Sequence, residues 1–373
     1  MKKNRKIFLQ VVILAVLIVV AGYFAFTCNQ EQEQDNETIR VGAILPLTGN
    51  MASLGESGQN GLILAQKYIN DENLLKGGKK IEFVFEDGKG IPAISISALT
   101  HLTEVQNIDI IFSIVSAVDL SLVSKQKEKG LLFISHATHP SLSDVNNLFF
   151  RHSPTVTQEF ALLKRYIGLD SASTILLHTS DDYGEALARE FGRNNFIAKE
   201  NILAFNIGDQ NFRGVCSKVI HKKPYRVVIG GNGKELYQLV NILREQGYKN
   251  EIITTLGFKV GGAFNQLKEF SNLSYIDFKD NYPSEKYNLI LAEYKKIFGK
   301  DMTISEMIFF NSALLITEAI NRCAREGGIK DIARQLATMG SFEGLGETIT
   351  ISASNDILPD IDIFSVKDKK IKQ

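Results

Sequence analysis

Short apolar runs and amphipathic stretches alternate along this chain, and after several rounds the alternation begins again. Ile39 to Leu45 reads as a buried strand, and after a turn Leu62, Ala65 and Ile69 recur at helical spacing. Ser53-Leu54-Gly55-Glu56 fits a capping box for that helix. A strand at Ile81 to Glu86, a helix at Ala93 to Val105, a strand at Ile108 to Val115, a helix at 118–128 and a strand at 131–135 follow. The second series has helices at 157–168, 183–194, 211–221 and 234–246, with strands at Thr174 to His178, 202–206, Arg226 to Ile229 and 251–255. Such alternation implies mostly parallel, doubly wound sheets, hence an α/β protein of two lobes. Past residue 285 the order changes to helices at 286–297, 305–324 and 330–338, then strands at 347–351 and 361–366. A helical return followed by terminal strands suggests that the chain crosses back between the lobes.

The N-terminus has a different character. MKKNRK precedes about twenty almost wholly apolar residues, as in an export signal. The basic side stays cytoplasmic, which places the body across the membrane. Cys28 closes the apolar run, where a bacterial lipoprotein carries its lipid, although Ala25, Phe26 and Thr27 fit that pattern poorly and the run is long for a cleaved signal. Lipidation at Cys28, an uncleaved anchor, and ordinary cleavage with release are the open readings, of which the first two hold the body at the membrane. The stretch 29–37 is polar and acidic, as a solvated tether should be. Setting aside Lys2, Lys3, Arg5 and Lys6 leaves 38 basic against 42 acidic groups, a net of −4 with no basic block for nucleic acid.

Catalytic and cofactor patterns are missing. The turn GAILPLTGNMASLGESG lacks G-x-G-x-x-G, and GGNGKE (230–235) has Glu235 where a phosphate loop needs Ser or Thr. No nucleophile elbow occurs, and Cys216 and Cys323 read as buried small hydrophobes in helices. His136 and His139 share a loop but lack a third ligand pattern, so a ligand-cleft role is favoured over metal. Asp181 and Asp182 read as helix caps. The sequence therefore points to no enzyme, cofactor or metal.

Several segments together resemble the type I periplasmic binding proteins, specifically the branched-chain amino-acid (leucine/isoleucine/valine) receptor family of ABC transporters. They are IRVGAILPLTGNMASLGESGQNGLILAQKYIN, IEFVFEDGKGIPAISISALTHL, IDIIFSIVSAVDLSLV, GLLFISHATHPSLSD, ILLHTSDDYGEALAREF, the helix pair from Lys286 and the ending FEGLGETITISASND. The resemblance implies two Rossmann-like lobes joined by three crossovers around a ligand cleft, and a membrane permease as partner. The expected organisation is a signal or anchor at 1–28, a tether at 29–37, a first lobe of 38–153 with 282–338, and a second of 154–281 with 339–373. Ser116 and Thr138 match hydroxyls that hold a ligand carboxylate. His136 falls where a backbone group faces the ligand, with Ala137 in the same loop, and Tyr183 matches the closing aromatic of the second lobe. Four positions depart from the family: the Gly and Pro preceding the Ser116 match are here Phe112 and Ser113, its first-turn aromatic falls near Leu54, and the acid that pairs with the ligand ammonium falls near Leu256. Asp119 and Glu235 are the candidate substitutes for that acid. The expected ligand is a small polar solute, whether amino acid, amide or carboxylate, captured by hinge closure. A sensor partnered with a signalling protein, a degenerate lobe pair that binds a protein, and an extracytoplasmic hydrolase are the alternatives.

Overall fold

The structure is a computed structural model and describes residues 38–209, 211–231, 235–260, 267, 271–279, 285–323 and 327–366. The N-terminal apolar run, Cys28 and the tether lie outside the described residues, as do 232–234 of the Gly-rich segment. No helix among the described residues is long and apolar enough to cross a membrane.

Buried parallel strands carry apolar side chains on both faces, because helices cover both. In the first half, β1 (Thr38–Leu45), α1 (Ala52–Asp71), β2 (Lys80–Asp87), α2 (Pro92–Thr100), β3 (Ile110–Ser113), α3 (Ser116–Lys129), β4 (Leu132–Ser135) and β5 (Phe149–His152) succeed one another. Ile110 and Phe112 of β3 and Leu132 and Ile134 of β4 face one core, while Ile111 and Phe133 face another on the opposite side. The second half repeats the design with α4 (Val156–Ile167), β6 (Thr174–Thr179), α5 (Asp182–Gly192), β7 (Ile202–Phe205), α6 (Arg213–His221), β8 (Arg226–Gly230), α7 (Glu235–Glu245), β9 (Glu251–Thr254), α8 (Gly257–Val260) and β10 (Leu273–Phe278). Here Val227 and Ile229 of β8 face one core and Val228 the other.

The chain then returns through α9 (Glu285–Phe298), α10 (Ile304–Arg322) and α11 (Ile329–Ala337), which pack into the first core. It ends with β11 (Ser341–Glu343), β12 (Thr348–Thr350), β13 (Asp356–Ile357) and β14 (Ile361–Ser365). The sheets have the order β13-β5-β4-β3-β1-β2 and β14-β10-β9-β8-β6-β7, with β14 antiparallel to β10 and a separate β11-β12 hairpin. The chain thus passes between sheets after β5, after β10 and after β13. The expectation that everything beyond 339 joins the second lobe differs from this arrangement. Ile349 and Ile357 pack in the first core and β13 pairs with β5, so only β14 joins the second sheet. A two-residue strand leaves no periodic signal in sequence.

The local readings also divide. Leu62, Ala65 and Ile69 are buried as their spacing requires. The capping box at Ser53 and Glu56 does not form, because the amides of Leu54 and Gly55 already bond back to Met51 O (3.0 and 3.2 Å) and Ser53 lies inside the helix. A capping box forms instead at α10, between Thr303 and Glu306. Cys216 is buried in α6, whereas Cys323 falls just past α10 and is half-buried. α1 runs close against α10: a methyl at Gly61 would sit 2.3 Å from Glu306 O. That contact fixes α10, whose first turns border the junction of the lobes.

Candidate functional site

At the junction, one cleft with about 690 Å³ of space between atoms, part of it open to solvent, brings together strand-end loops from both lobes. Ligand sites of doubly wound sheets lie at the carboxyl ends of strands, where loops present amides and hydroxyls. Leu54 comes from the start of α1, Ser116 from the first residue of α3, and His136, Ala137 and Thr138 from the loop after β4. Tyr183 on α5 and Leu256 after β9 come from the second lobe. All seven candidate ligand-binding residues therefore line the same cleft.

The first-lobe side is rich in donors. The amide of Ala137 is taken by Ser135 Oγ (3.2 Å), and the carbonyl of Thr138 accepts from Val156 N (3.0 Å) at the first crossover. The hydroxyls of Ser116, Thr138, Ser153 and Ser305, all on the cleft wall, have no hydrogen-bond partner among the described residues. Ser116 opens α3, and the first turn of a helix, whose leading N–H groups lack intrahelical partners, favours an anion. Immediately before it, Val115 holds φ 89° and ψ 117°, a conformation that a β-branched residue rarely adopts.

Beneath the β4 loop lies a buried polar chain. His136 Nε2 is 3.0 Å from Ser312 Oγ, which is 2.9 Å from His152 Nδ1. The His136 ring stacks on Phe309 at 3.8 Å between centroids, and burial, followed by the charge of His152, holds this imidazole well below its usual range. His136 is therefore a neutral wall whose side chain is committed to Ser312.

The second-lobe side contains an acid that spacing did not single out. Glu159, in the first turn of α4, is fully buried, and its two oxygens accept from Tyr183 Oη (3.0 Å) and Leu256 N (3.0 Å). Burial pushes this carboxyl up to about 7, although both donated hydrogen bonds pull it down. The substitute acids proposed from sequence lie elsewhere. Asp119 accepts from Ser135 Oγ (2.5 Å) behind β4, Glu235 accepts from Gly208 N (3.1 Å), and neither borders the cleft. Asp181 caps α5 by accepting from Gly184 N (2.8 Å), as expected of an acid at that position. Gly184 is required there, since a methyl would lie 1.9 Å from Thr179 O; this close approach seats Tyr183. Among the described residues no three His, Cys, Asp or Glu side chains group to hold a metal.

The family described as periplasmic binding protein matches residues 38–370. The chain belongs to that family. It is a family of solute-binding proteins and not of enzymes, and its name places its members outside the cytoplasm. Among curated relatives of this binding protein, the Leu/Ile/Val-binding protein homolog 3 of Brucella melitensis is 24% identical, covering 89% of this chain and 92% of that one. The leucine-specific-binding protein of Salmonella typhimurium is 21% identical, covering 88% and 90%. Among solved structures, the branched-chain amino acid transporter substrate binding protein LivJ of Streptococcus pneumoniae, in complex with isoleucine, superposes with a TM-score of 0.77 at 22% identity, covering 88% and 96%. An ABC transporter solute binding protein of R. palustris in complex with benzoate gives 0.73 at 17%, covering 87% and 92%. The fold of this binding protein is thus shared by receptors for chemically different ligands.

Proposed function

We propose that the chain is the extracytoplasmic solute-binding component of an ABC-type importer, closing its two lobes around a small polar solute that carries a carboxylate. One observation carries the reading: unpaired hydroxyls of the first lobe and Tyr183 of the second converge on a single cleft at the strand ends. Ser116, Thr138 and the first-turn amides of α3 hold the carboxylate. Ala137 and His136 shape the loop beside it, Leu54 and Leu256 form apolar walls, and Tyr183 closes from the other side. A ligand that touches both lobes favours the closed state by its differential affinity for it. A permease reads that state, and the N-terminal segment keeps the binder at the membrane through lipid on Cys28 or an uncleaved span.

Calorimetry on residues 38–373 against amino acids, small carboxylates and amides tests the reading. Binding that weakens about tenfold or more in Ser116→Ala and Tyr183→Ala supports it, that being the effect of losing a hydrogen bond to a charged ligand group. Tight binding indifferent to both substitutions refutes the site. Membrane fractionation of the full chain beside Cys28→Ser separates lipid from an apolar span as the anchor.

A further inference from the structure

Glu159 is a carboxylic acid on the wall of the cleft, fully buried, whose described neighbours offer it hydrogen bonds and no cation. Tyr183 of α5 is the titratable group in contact with it. The other cleft residues of the second lobe and of α10, namely Leu256, Gly257, Phe278, Ser305, Ile308 and Phe309, do not titrate. Across the cleft stand His136 and His152, both engaged with Ser312. A buried carboxylate without a countercharge is costly, so such a group either keeps a proton or receives a cation from outside.

We infer that Glu159 is the specificity-determining carboxyl of this cleft: it receives the cationic nitrogen of the solute, whose carboxylate lies at the Ser116 and Thr138 side. The inference rests on the proposed solute site and narrows its ligand to zwitterions, with the acid on α4 serving where Leu256 offers only an amide. The two existing hydrogen bonds fix the carboxyl while leaving each oxygen further acceptor capacity. Without a cation beside it, the carboxyl takes up a proton near neutral pH. Capture of an ammonium group expels that proton, so proton release is greater at pH 6 than at pH 8. The sign follows: affinity for a zwitterion falls as pH falls below about 7, approaching tenfold per unit.

The test uses L-leucine, L-valine, L-phenylalanine and L-alanine, each beside its des-amino acid: 4-methylpentanoate, 3-methylbutanoate, 3-phenylpropanoate and propanoate. Titrations at pH 6 and 8, in buffers of different ionisation enthalpy, read affinity and proton release together. Wild type is expected to prefer the amino acid by about tenfold or more and to release a proton at pH 6. Glu159→Gln keeps the shape and is expected to lose both the preference and the release. Equal binding of the des-amino acids by wild type, or preference and release undiminished in Glu159→Gln, overturns the inference and leaves the solute site standing. Binding of neither class defeats the proposed function and the inference together. If Glu159→Gln does not fold, wild-type preference with proton release at pH 6 still supports the inference, and preference without release overturns it.

Discussion

His152 Nε2 lies 3.1 Å from Glu347 Oε1, joining the end of β5 to the turn between β11 and β12. The imidazole is wholly buried and Glu347 is 21% exposed, and the contact is an ion pair by distance without the alignment of a hydrogen bond. Asn311 Nδ2 donates to the same carboxylate oxygen at 2.8 Å. Burial by itself would raise the Glu347 carboxyl, but the charge and contact of His152, helped by Asn311, hold it below its ordinary value of 4.5. A carboxyl lowered on folding contributes stability that is present above the unfolded value and lost as pH falls through the folded one. Glu347→Gln is therefore expected to cost about 1–3 kcal/mol at pH 7 and progressively less below pH 4.5. Urea unfolding of both proteins at pH 7 and pH 3.5 measures this, and an equal difference at the two pH values would contradict it.

Val115 sets a second expectation. Its positive φ, just before the α3 turn that faces the cleft, costs a β-branched residue about 1–3 kcal/mol that glycine would not incur. Val115→Ala loses the side-chain packing and keeps most of the strain, whereas Val115→Gly loses the packing and releases the strain. The usual order should reverse, with the glycine variant more stable than the alanine variant by about 1 kcal/mol. Thermal melts of the pair decide the matter, and an alanine variant that is the more stable would show the backbone to be otherwise.

Gly61 links packing to the cleft. A methyl there meets the backbone oxygen of Glu306 at 2.3 Å and Phe309 Cβ at 3.0 Å, so α1 and α10 must separate to admit it. Overpacking of this kind costs about 1–3 kcal/mol. Because Ser305, Ile308 and Phe309 of α10 line the cleft, Gly61→Ala should also lower solute affinity, by roughly threefold to tenfold for a hydrogen bond misplaced by tenths of an ångström. Melting temperature and calorimetry on the same sample check both effects; a variant unchanged in each would show that α10 can shift freely.

The sequence revealed most where a strand is buried on both faces. Both faces of β3 and β8 are covered, so their continuous apolar runs could be read as buried strands without knowing which helices cover them. Ser116, Thr138 and Tyr183 were legible as a set through the family resemblance, since they are far apart in the chain and only the fold brings them together. Glu159 was not, because an acid in the first turn of an amphipathic helix is what the helix itself favours. Its distinction is tertiary: α4 turns that position inward against Tyr183 and Leu256. Ser305 and Phe309 were overlooked for a related reason, being ordinary residues of a long helix whose role depends on how closely α1 approaches it. The return of β13 to the first sheet rests on two residues, too few for any pattern.

Arg189 of the second lobe reaches His139 of the first, with Nη2 3.3 Å from Nε2. This looks like a latch across the cleft, but counting protons argues otherwise. His139 Nδ1 accepts from Ser141 N at 3.1 Å, so a neutral ring carries its proton on Nε2, where it faces a guanidinium donor. The other tautomer satisfies Arg189 and leaves the Ser141 amide without its acceptor. Burial, then the Arg189 charge, lowers the His139 imidazole below its usual 6.5, with Asp182 acting in the opposite sense. The arrangement with this contact made accordingly binds fewer protons, and the contact weakens as pH falls through 6.5. Arg189 is exposed, so the effect is modest. Arg189→Ala should leave solute affinity within about twofold at pH 7.5 and raise it by roughly twofold to fivefold at pH 5.5, relative to wild type. Calorimetry at the two pH values distinguishes the cases, because a genuine latch would lose affinity at both.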